Sequence, residues 1–432
     1  MSLDLIIRNA TLPDGRQGID IGVNGERIVE TRPKLQALAA TEIDALGNLV
    51  TPPFVDPHFH MDATLTTGIP RRNVLGSLFE GIAIWAELKQ IITEQEVYDR
   101  AVNLCQWAIA RGNLAIRSHV DVCDPKLTGV RALLEVKKRM KPLIDIQLVA
   151  FPQEGLFRFS EGEMLLRQAL DMGVDVVGGI PHFERTMQDG HDSVKTLCEI
   201  AANRGLLVDM HCDESDDPMS RHIEMLAYHA HRLGMNGRVS ASHVTSMRTM
   251  DNYYFSKLVN LVREANINVI ANPLTNSKGD GDSEHYPKYR GVTRIKELMR
   301  RGVNVAFGHD CCLDPWYPLG TYDMLEVAHM GIHEAQMNSV AEMESAVQSI
   351  TYSGAAAMCL KGYGLEPGCY ADMVVLGAAD CIEAVRLRAD RLNVIRRGKI
   401  IAQTKPAEVS VFIDGMQSPV HFSRKQHDRC NH

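Results

Sequence analysis

The sequence has no surplus of positive charge and no long apolar run. Lys and Arg total 46 against 54 Asp and Glu, which gives a formal net charge of −8. This acidity argues against a nucleic-acid polymer as a partner, because phosphate binding needs clustered Lys and Arg. No apolar run approaches the ~20 residues that span a bilayer, and the first residues lack the basic and apolar regions of a signal peptide. We therefore expect a cytoplasmic protein that has no membrane partner.

The Cys-x-x-Cys spacing of redox and metal-binding motifs is also missing. The ten Cys residues are scattered and include no Cys-x-x-Cys pair, so we expect most of them to be small buried hydrophobic residues in a reducing compartment. Hydrophobic residues make up 45% of the 432 residues and charged residues 23%. This composition is ordinary for a globular enzyme, and the length predicts one large domain and one smaller domain.

Both ends of the chain show β-strand patterns. Residues 19–23 alternate between apolar and polar or small side chains before a tight turn at Asn24-Gly25, and the apolar run 373–376 precedes two further runs around a turn at Arg397-Gly398. Neither end has enough hydrophobic residues to fold alone. We therefore predict a small discontinuous β-sandwich domain from residues 1–52 and 363–416, and a polar tail over 417–432 that is frayed from Ser423 onward.

The middle of the chain, residues 53–362, alternates helices with short apolar strands. A capping box at Thr93 and Glu96 starts one helix. Several helical stretches end at residues that tolerate the left-handed conformation: Gly112, Gly173, Gly205, Asn266 and Gly302. Eight strands are predicted, the first from Val50 to His58 and the others centred near Ile116, Leu148, Val176, Val208, Ser240, Val269 and Val305. This alternation indicates a parallel sheet, and eight units favour a closed (β/α)8 TIM barrel, an α/β fold, over a doubly wound sheet.

Residues that could bind a metal lie at the C-terminal ends of four of these strands. His58 and His60 are two residues apart, so both imidazoles face one side of the first strand. His211 and His243 end the fifth and sixth strands, and Asp310 ends the eighth. A His-x-His pair alone is a weak signal, but the active site of a barrel lies at this face. Converging imidazoles and a carboxylate suit Zn²⁺ or Fe²⁺.

Several segments resemble one enzyme superfamily over nearly the whole chain. Residues 53–62 (PFVDPHFHMD) resemble the first-strand motif of the amidohydrolase superfamily, and residues 364–375 (GLEPGCYADMVV) resemble its return into the β-domain. More specifically, the chain resembles the bacterial cytosine deaminase group of that superfamily. This second resemblance is carried by residues 146–155 (IQLVAFPQEG), 177–184 (VGGIPHFE), 307–310 (FGHD) and 314–320 (DPWYPLG).

The resemblance implies a metal centre and a set of catalytic groups. It implies one divalent ion, zinc or iron, with four ligands: His58, His60, His211 and Asp310. It also implies three catalytic residues: Glu214, His243 and Asp310. Elementary chemistry agrees, because Glu214 lies three residues after His211 and can protonate a ring nitrogen and then the departing amine.

The resemblance also implies substrate contacts from three residues: Gln153, Cys311 and Trp316. The amide of Gln153 offers both a donor and an acceptor, as the edge of an amide-like base requires. Cytosine deaminases of this type have a second Asp directly after the metal-binding Asp, where this chain has Cys311. An ionised carboxylate there would resist an apolar substituent at C5 of the ring, whereas Cys tolerates one. A neutral exchange that leaves cytosine preferred is the alternative.

We therefore predict hydrolytic deamination of a free pyrimidine base, cytosine or 5-methylcytosine, to uracil or thymine and ammonia. Related rings such as isocytosine, isoguanine or creatinine, and a non-catalytic scaffold, remain alternatives. The fourth strand has no Lys, which argues against a carbamylated Lys that bridges two metals. The unrelated zinc nucleobase deaminases combine His-x-Glu with Pro-Cys-x-x-Cys, and this sequence does not. The resemblance also suggests a homo-oligomer.

The segment from Thr275 to Arg294 follows the seventh predicted strand and is rich in Gly, Asn, Asp, Ser and Lys. Its position predicts that it lies over the mouth of the barrel. Such a segment is either a mobile lid that orders when a ligand binds, or an ordinary surface loop.

Overall fold

The computed structural model describes residues 3–279 and 288–423 of the chain. It divides into two compact units, Met1–Pro53 with Gly362–His432, and Phe54–Lys361. The predicted frayed end, apart from Ser423, and the middle of the predicted lid lie outside the described residues. Among the residues that are described, no helix is both long and apolar enough to cross a membrane.

The smaller unit begins with five strands: β1 (Leu3–Ala10), β2 (Ile19–Asn24), β3 (Arg27–Pro33), β4 (Ala39–Asp44) and β5 (Val50–Thr51). The first four form one sheet in the order β3-β2-β1-β4, in which β1 and β4 are parallel. The turn between β2 and β3 lies one residue later than the sequence suggested. Asn24 pairs with Arg27, so Gly25 and Glu26 form the turn, and Gly25 takes a positive φ of 58°.

The larger unit contains an eight-stranded parallel sheet. Its strands are β6 (Phe54–Phe59), β7 (Asn113–Asp121), β8 (Asp145–Phe151), β9 (Val176–Gly179), β10 (Leu207–Cys212), β11 (Val239–His243), β12 (Asn268–Ala271) and β13 (Val305–Phe307). They pair in chain order. The two edges meet where Asp310 N donates to His58 O at 2.9 Å and His60 N donates to Asp310 O at 3.0 Å. The predicted TIM barrel is confirmed.

The first predicted strand, from Val50 to His58, is wrong in extent. Val50 and Thr51 form β5, which pairs with residues 374 and 375 of the smaller unit, and the barrel strand begins only at Phe54. Pro52 and Pro53 lie between the two strands. Because neither proline has a backbone N–H, one hydrogen-bonded ladder cannot continue through them.

Twelve helices of the larger unit are described: α1 (Leu78–Lys89), α2 (Glu94–Ala110), α3 (Thr128–Met140), α4 (Gly162–Asp171), α5 (Met187–Arg204), α6 (His222–Arg232), α7 (Asn252–Glu264), α8 (Pro273–Gly279), α9 (Ile295–Arg300), α10 (Met324–Glu334), α11 (Val340–Ser349) and α12 (Tyr352–Ala357). The capping box predicted for α2 is present, since Thr93 and Glu96 each accept from the other's backbone N–H. The five Gly and Asn residues predicted to close helices all have positive φ, between 48° and 110°.

The chain then returns to the smaller unit through β14 (Met373–Leu376), α13 (Cys381–Leu387), β15 (Arg391–Arg396), β16 (Lys399–Gln403), β17 (Val409–Ile413) and β18 (Met416–Val420). A second four-stranded sheet has the order β16-β15-β14-β5, so both ends of the chain contribute to it. One hydrophobic core takes residues from both ends, among them Ile7, Ile21, Met373 and Ile395.

Residues 417–420, predicted as the start of a polar tail, instead belong to β18. This strand pairs antiparallel with β17 through a two-residue turn at Asp414 and Gly415. Both turn residues have positive φ, 50° and 77°. A turn of this kind matches the right-handed twist of paired strands, and Asp-Gly is a favoured sequence for it. The short polar segment therefore forms a hairpin.

Candidate active site

The candidate site residues come together at the C-terminal ends of the barrel strands. A cavity of about 300 Å³ is lined by, among others, His60, Gln153, His211, Glu214, His243, Asp310, Cys311 and Trp316. His58 does not line the cavity, but its ring centroid is 4.5 Å from that of His211. The nine residues singled out from the sequence therefore lie in one place, at the face where a barrel carries its chemistry.

Three imidazoles and one carboxylate converge at this face. The Nε2 atoms of His60 and His211 are 3.0 Å apart. Oδ1 of Asp310 lies 3.3 Å from Nε2 of His58 and 3.5 Å from Nε2 of His60. Nitrogen ligands about 2.0–2.1 Å from a tetrahedral zinc ion lie about 3.3 Å from one another. The donor set and its spacing therefore fit one divalent metal ion.

The cluster contains more ligand atoms than the sequence indicated. Two overlapping groups of four have ligand atoms within 4.8 Å of one another: His58, His60, His119 and His211, and His58, His211, His243 and Asp310. Because the groups share His58 and His211, they describe one site. His119 was missed, although Arg117, His119 and Asp121 occupy alternate positions of β7 and therefore share one face of the strand, a signal that could have found it.

Burial keeps the imidazoles of the cluster neutral. It lowers the pKa of His58 and of His211 well below the usual range, and neighbouring histidines lower both further. Burial also lowers the pKa of His60, although the Asp310 carboxylate opposes the shift. Neutral imidazole is the form that binds a metal ion, so the cluster is prepared for one.

A buried polar chain holds the His58 ring from behind. Nδ1 of His58 is 2.8 Å from Oγ of Ser242, and that hydroxyl donates to Oδ1 of Asp209 at 2.7 Å. Oδ2 of Asp209 accepts from Nη1 of Arg117 at 2.9 Å. All four side chains are buried. With Nδ1 occupied, Nε2 of His58 is the nitrogen that faces Asp310, as a metal ligand requires.

Glu214 and His243 form a second pair at the cavity wall. Oε1 of Glu214 is 3.1 Å from Nδ1 of His243 and accepts from Nδ2 of Asn276 at 3.2 Å. Burial raises the pKa of Glu214, but the interactions with His243 and with His182 lower it, and the net shift is downward. The carboxylate is therefore ionised and able to accept a proton. Asn276, on α8, was not found from the sequence.

Two of the site residues adopt a backbone conformation that is uncommon outside glycine. His243, the last residue of β11, has a φ angle of 69°, and Asp310, three residues after the end of β13, has a φ angle of 68°. Such left-handed residues carry conformational strain and cluster at functional sites. Both side chains line the cavity.

Cys311 and Trp316 form a less polar part of the cavity lining, next to the cluster. Cys311 is buried, and burial raises the pKa of its thiol well above the usual range, helped by Asp310 and Asp314, so the thiol is neutral. The ring of Trp316 lies 6.3 Å from that of His60. Gly81 of α1 packs against this indole, where a Cβ atom would clash with the ring. A neutral thiol and a flat ring therefore form this wall.

Gln153 sits on the loop after β8 and is buried. The carboxylate of Glu184 fixes the turn that follows it, accepting backbone N–H groups of Leu156 at 2.6 Å and Arg158 at 3.1 Å. Glu184 and His182 also line the cavity. Both belong to residues 177–184, which resemble the cytosine deaminase group but were not predicted as site residues. Burial lowers the pKa of His182 to about 4, so this imidazole is neutral as well.

The predicted lid is only partly described. Its first residues, 275–279, belong to α8, while residues 280–287 lie outside the described part of the chain. Thr275 lines the cavity. Whether the segment from Thr275 to Arg294 closes over a ligand therefore stays a prediction.

Comparison with known proteins places this site in a family. Residues 41–402 match the amidohydrolase family. The chain belongs to this family. With its cluster of histidines and an aspartate in a TIM barrel, it is a metal-dependent hydrolase, and the family resemblance seen in the sequence is confirmed.

Individual relatives show what this amidohydrolase is similar to. It superposes on a 5-methylcytosine deaminase from Klebsiella pneumoniae with a TM-score of 0.91 and 42% identity, over 94% of this chain and 98% of that one. It superposes on an N-isopropylammelide isopropylaminohydrolase from Burkholderia multivorans with a TM-score of 0.81 and 27% identity, over 93% and 99%. A pterin deaminase from Rhizobium rhizogenes is 27% identical, over 93% of this chain and 94% of its own length.

Proposed function

We propose that this amidohydrolase deaminates a free pyrimidine base and accepts a small substituent at C5, so that 5-methylcytosine gives thymine and ammonia. The observation that carries the proposal is the buried, neutral thiol of Cys311 directly after Asp310 in the cavity. The likeness to a 5-methylcytosine deaminase, whose structure holds 5-fluorocytosine, supports it.

His58, His60, His211 and Asp310 would hold the metal ion, zinc or iron. When bound, such an ion makes water a stronger acid, so that a nucleophile is available near neutral pH. The Asp310 carboxylate is placed to accept a proton from the attacking water. The imidazole of His243 hydrogen-bonds the oxygen that adds to the ring.

Glu214 moves the protons that the reaction requires. As the water oxygen adds to C4 of the base, the Glu214 carboxylate accepts one of its two protons and delivers it to the ring nitrogen N3. Asp310 accepts the second proton, which passes through Glu214 to the amine. The C4–N bond then breaks, the amine leaves as ammonia, and C4 becomes a carbonyl. The ionised state of Glu214 beside His243 suits this acceptor and donor role.

The remaining cavity residues orient the base. The Gln153 amide can pair with the N1–H and C2 carbonyl edge, because one amide supplies an acceptor and a donor. The indole of Trp316 offers a flat apolar face, and Cys311 lies toward the C5 edge. A cavity of about 300 Å³ is at the small end of the ~300–1,000 Å³ range of ligand pockets, which favours a single ring over a nucleotide.

A second candidate is removal of an amine from another ring. The chain is 31% identical to an N-isopropylammelide isopropyl amidohydrolase from Pseudomonas sp. (strain ADP), over 93% of this chain and 97% of that protein. Isocytosine, isoguanine and creatinine are further rings of the same chemical kind. A non-catalytic scaffold is disfavoured, because the whole candidate ligand set is present and converges.

The test is the kcat/KM for ammonia release from 5-methylcytosine, cytosine and isocytosine, and for isopropylamine release from N-isopropylammelide. One buried methyl is worth ~0.8 kcal/mol and pocket discrimination about 1–3 kcal/mol, so we expect a preference of roughly tens-fold for 5-methylcytosine over cytosine. Cys311→Asp should shift this ratio toward cytosine by a similar factor. Cys312→Ser, a neighbouring thiol that does not line the cavity, is the matched control and should leave the ratio unchanged.

Two outcomes would contradict the proposal at different levels. If the wild type turns over cytosine but leaves 5-methylcytosine untouched, the role of Cys311 is wrong while pyrimidine deamination stands. If neither cytosine nor 5-methylcytosine releases ammonia, and N-isopropylammelide is hydrolysed, the second candidate function is correct.

A further inference from the structure

One buried imidazole in the metal-binding cluster has no part in the proposed reaction. His119 lies near the end of β7, is fully buried, and neither of its ring nitrogens has a hydrogen-bond partner. Oδ1 of Asp209 lies 3.8 Å from its Nε2 atom, beyond hydrogen-bonding distance. Buried polar atoms are almost always paired, so a nitrogen of this buried ring is free to bind a ligand.

The position of His119 identifies what that ligand is. Its ring centroid lies 4.1 Å from that of His58, 4.7 Å from that of His211 and 5.4 Å from that of His60. One nitrogen of each of these four rings lies within 4.8 Å of the others. Ligands of a tetrahedral ion are about 3.3 Å apart, so nitrogens within 4.8 Å of one another need only move closer together to hold one ion.

We propose that His119 is a metal ligand, and that a single divalent ion has two alternative coordination sets in this cavity. One set consists of four imidazoles: His58, His60, His119 and His211. The other is the set of the proposed function, in which the carboxylate of Asp310 takes the place of His119. Because His58 and His211 belong to both sets, only one ion is bound at a time.

The two sets differ in charge and in the metals that they favour. Four neutral imidazoles add no charge to the ion, whereas the set with Asp310 contributes one negative charge. Imidazole suits zinc, nickel and copper, while carboxylate also accepts magnesium and manganese. The imidazole set should therefore retain zinc when Asp310 does not coordinate. This inference rests on metal binding and not on the identity of the base, so a failure of the substrate proposal leaves it intact.

The first test measures zinc affinity without any substrate. Metal-free protein is titrated with Zn²⁺ alone against a chromophoric chelator, using four forms of the protein: wild type, Asp310→Asn, His119→Phe and the double variant. Each single variant should still bind one Zn²⁺ per chain, because one complete set remains. In the double variant the Kd should rise by about 10–100-fold or more above that of either single variant. The His119→Phe variant keeps a ring of similar shape. If the His119→Phe protein does not fold, the smaller His119→Asn variant is used instead.

A matched control and a second readout separate coordination from packing. His229→Phe makes the same exchange at a buried histidine outside the cluster, on α6, and should leave the Zn²⁺ Kd of Asp310→Asn unchanged. With Co²⁺ alone, each coordinated imidazole gives one exchangeable, paramagnetically shifted N–H proton signal. The Asp310→Asn protein should show one more such signal than the double variant.

The proposal is overturned if His119→Phe leaves the Zn²⁺ Kd of Asp310→Asn unchanged. It is equally overturned if the number of shifted imidazole N–H signals is the same with and without His119. A loss of affinity in His229→Phe as large as that in His119→Phe would show that packing, rather than coordination, causes the effect.

Discussion

Asp209 joins the interior of the barrel to the candidate metal site, and its replacement should reduce both stability and metal affinity. One carboxylate oxygen accepts from Nη1 of Arg117 at 2.9 Å, and the other accepts from Oγ of Ser242 at 2.7 Å. That hydroxyl lies 2.8 Å from Nδ1 of His58. Asp209→Asn preserves the shape of the side chain, but it removes the negative charge that faces the Arg117 guanidinium.

The magnitude follows from the burial of the pair. Both Arg117 and Asp209 are 0% exposed, and breaking a buried ion pair by removing one partner costs about 3–5 kcal/mol. Unfolding entropy is about 2.1 cal/mol/K per residue, so about 4 kcal/mol lowers the Tm of a unit of about 300 residues by about 6 °C. Loss of a group that orients a ligating histidine typically weakens metal binding by about 10–100-fold.

Calorimetry of metal-free protein measures the first effect, and Zn²⁺ titration measures the second. Arg117→Met combined with Asp209→Asn should recover part of the lost stability, because no uncompensated charge remains. Ser240→Ala is the control: its hydroxyl contacts Arg117 at 3.2 Å but not His58, so zinc affinity should not change. An Asp209→Asn protein with the Tm and the zinc Kd of the wild type would refute the reasoning.

Three further outcomes are expected. Glu214→Gln should keep its metal and lose about 10²–10⁴-fold in kcat, and a near-normal kcat would assign proton transfer to another residue. Burial raises the pKa of Asp213, but hydrogen bonds from His222 and from backbone N–H groups lower it to about 2, below the ordinary 3.8. The ionised form of Asp213 therefore contributes about 2 kcal/mol to the free energy of unfolding, which is present above about pH 4 and is lost as the pH falls toward 2. Calorimetry between pH 4 and pH 2 should show a flatter pH dependence of Tm in Asp213→Asn than in the wild type. An unchanged slope would contradict this. Hydrogen exchange over residues 275–294 should slow when a base analogue binds if the segment is a lid, whereas unchanged exchange would identify an ordinary surface loop.

The barrel was predictable because its signals are local. Gly112, Gly205 and Asn266 each end a helix in the left-handed conformation, and a buried strand follows within a few residues. The break in the first strand was present in the sequence as Pro52-Pro53, but an apolar run on both sides concealed it. The hairpin at Asp414-Gly415 was missed because β18 (MQSPV) carries little hydrophobic pattern, and because the apolar residues of β17 (VSVFI) are exposed and belong to no core that would have marked the strand.

The candidate site was predictable where a residue ends a strand and resembles a known motif. His119 does neither, because it lies two residues before the end of β7. Its shared face with Arg117 and Asp121 was the one sequence signal, and tertiary packing then places its ring against His58 and His211. Asn276 was missed because its contact with Glu214 joins α8 to the loop after β10, and no spacing along the chain indicates this. The roles assigned to individual residues remain predictions that the proposed variants test.

The most direct test of metal-dependent deamination of 5-methylcytosine is the amount of thymine formed. Verified metal-free protein, and the same protein reloaded with Zn²⁺ or Fe²⁺, are incubated with 5-methylcytosine while thymine and ammonia are both quantified. Metal-dependent deamination predicts equal amounts of the two products from the reloaded protein and neither from the metal-free protein. Full turnover without metal, or reloaded protein that forms no thymine, would contradict it.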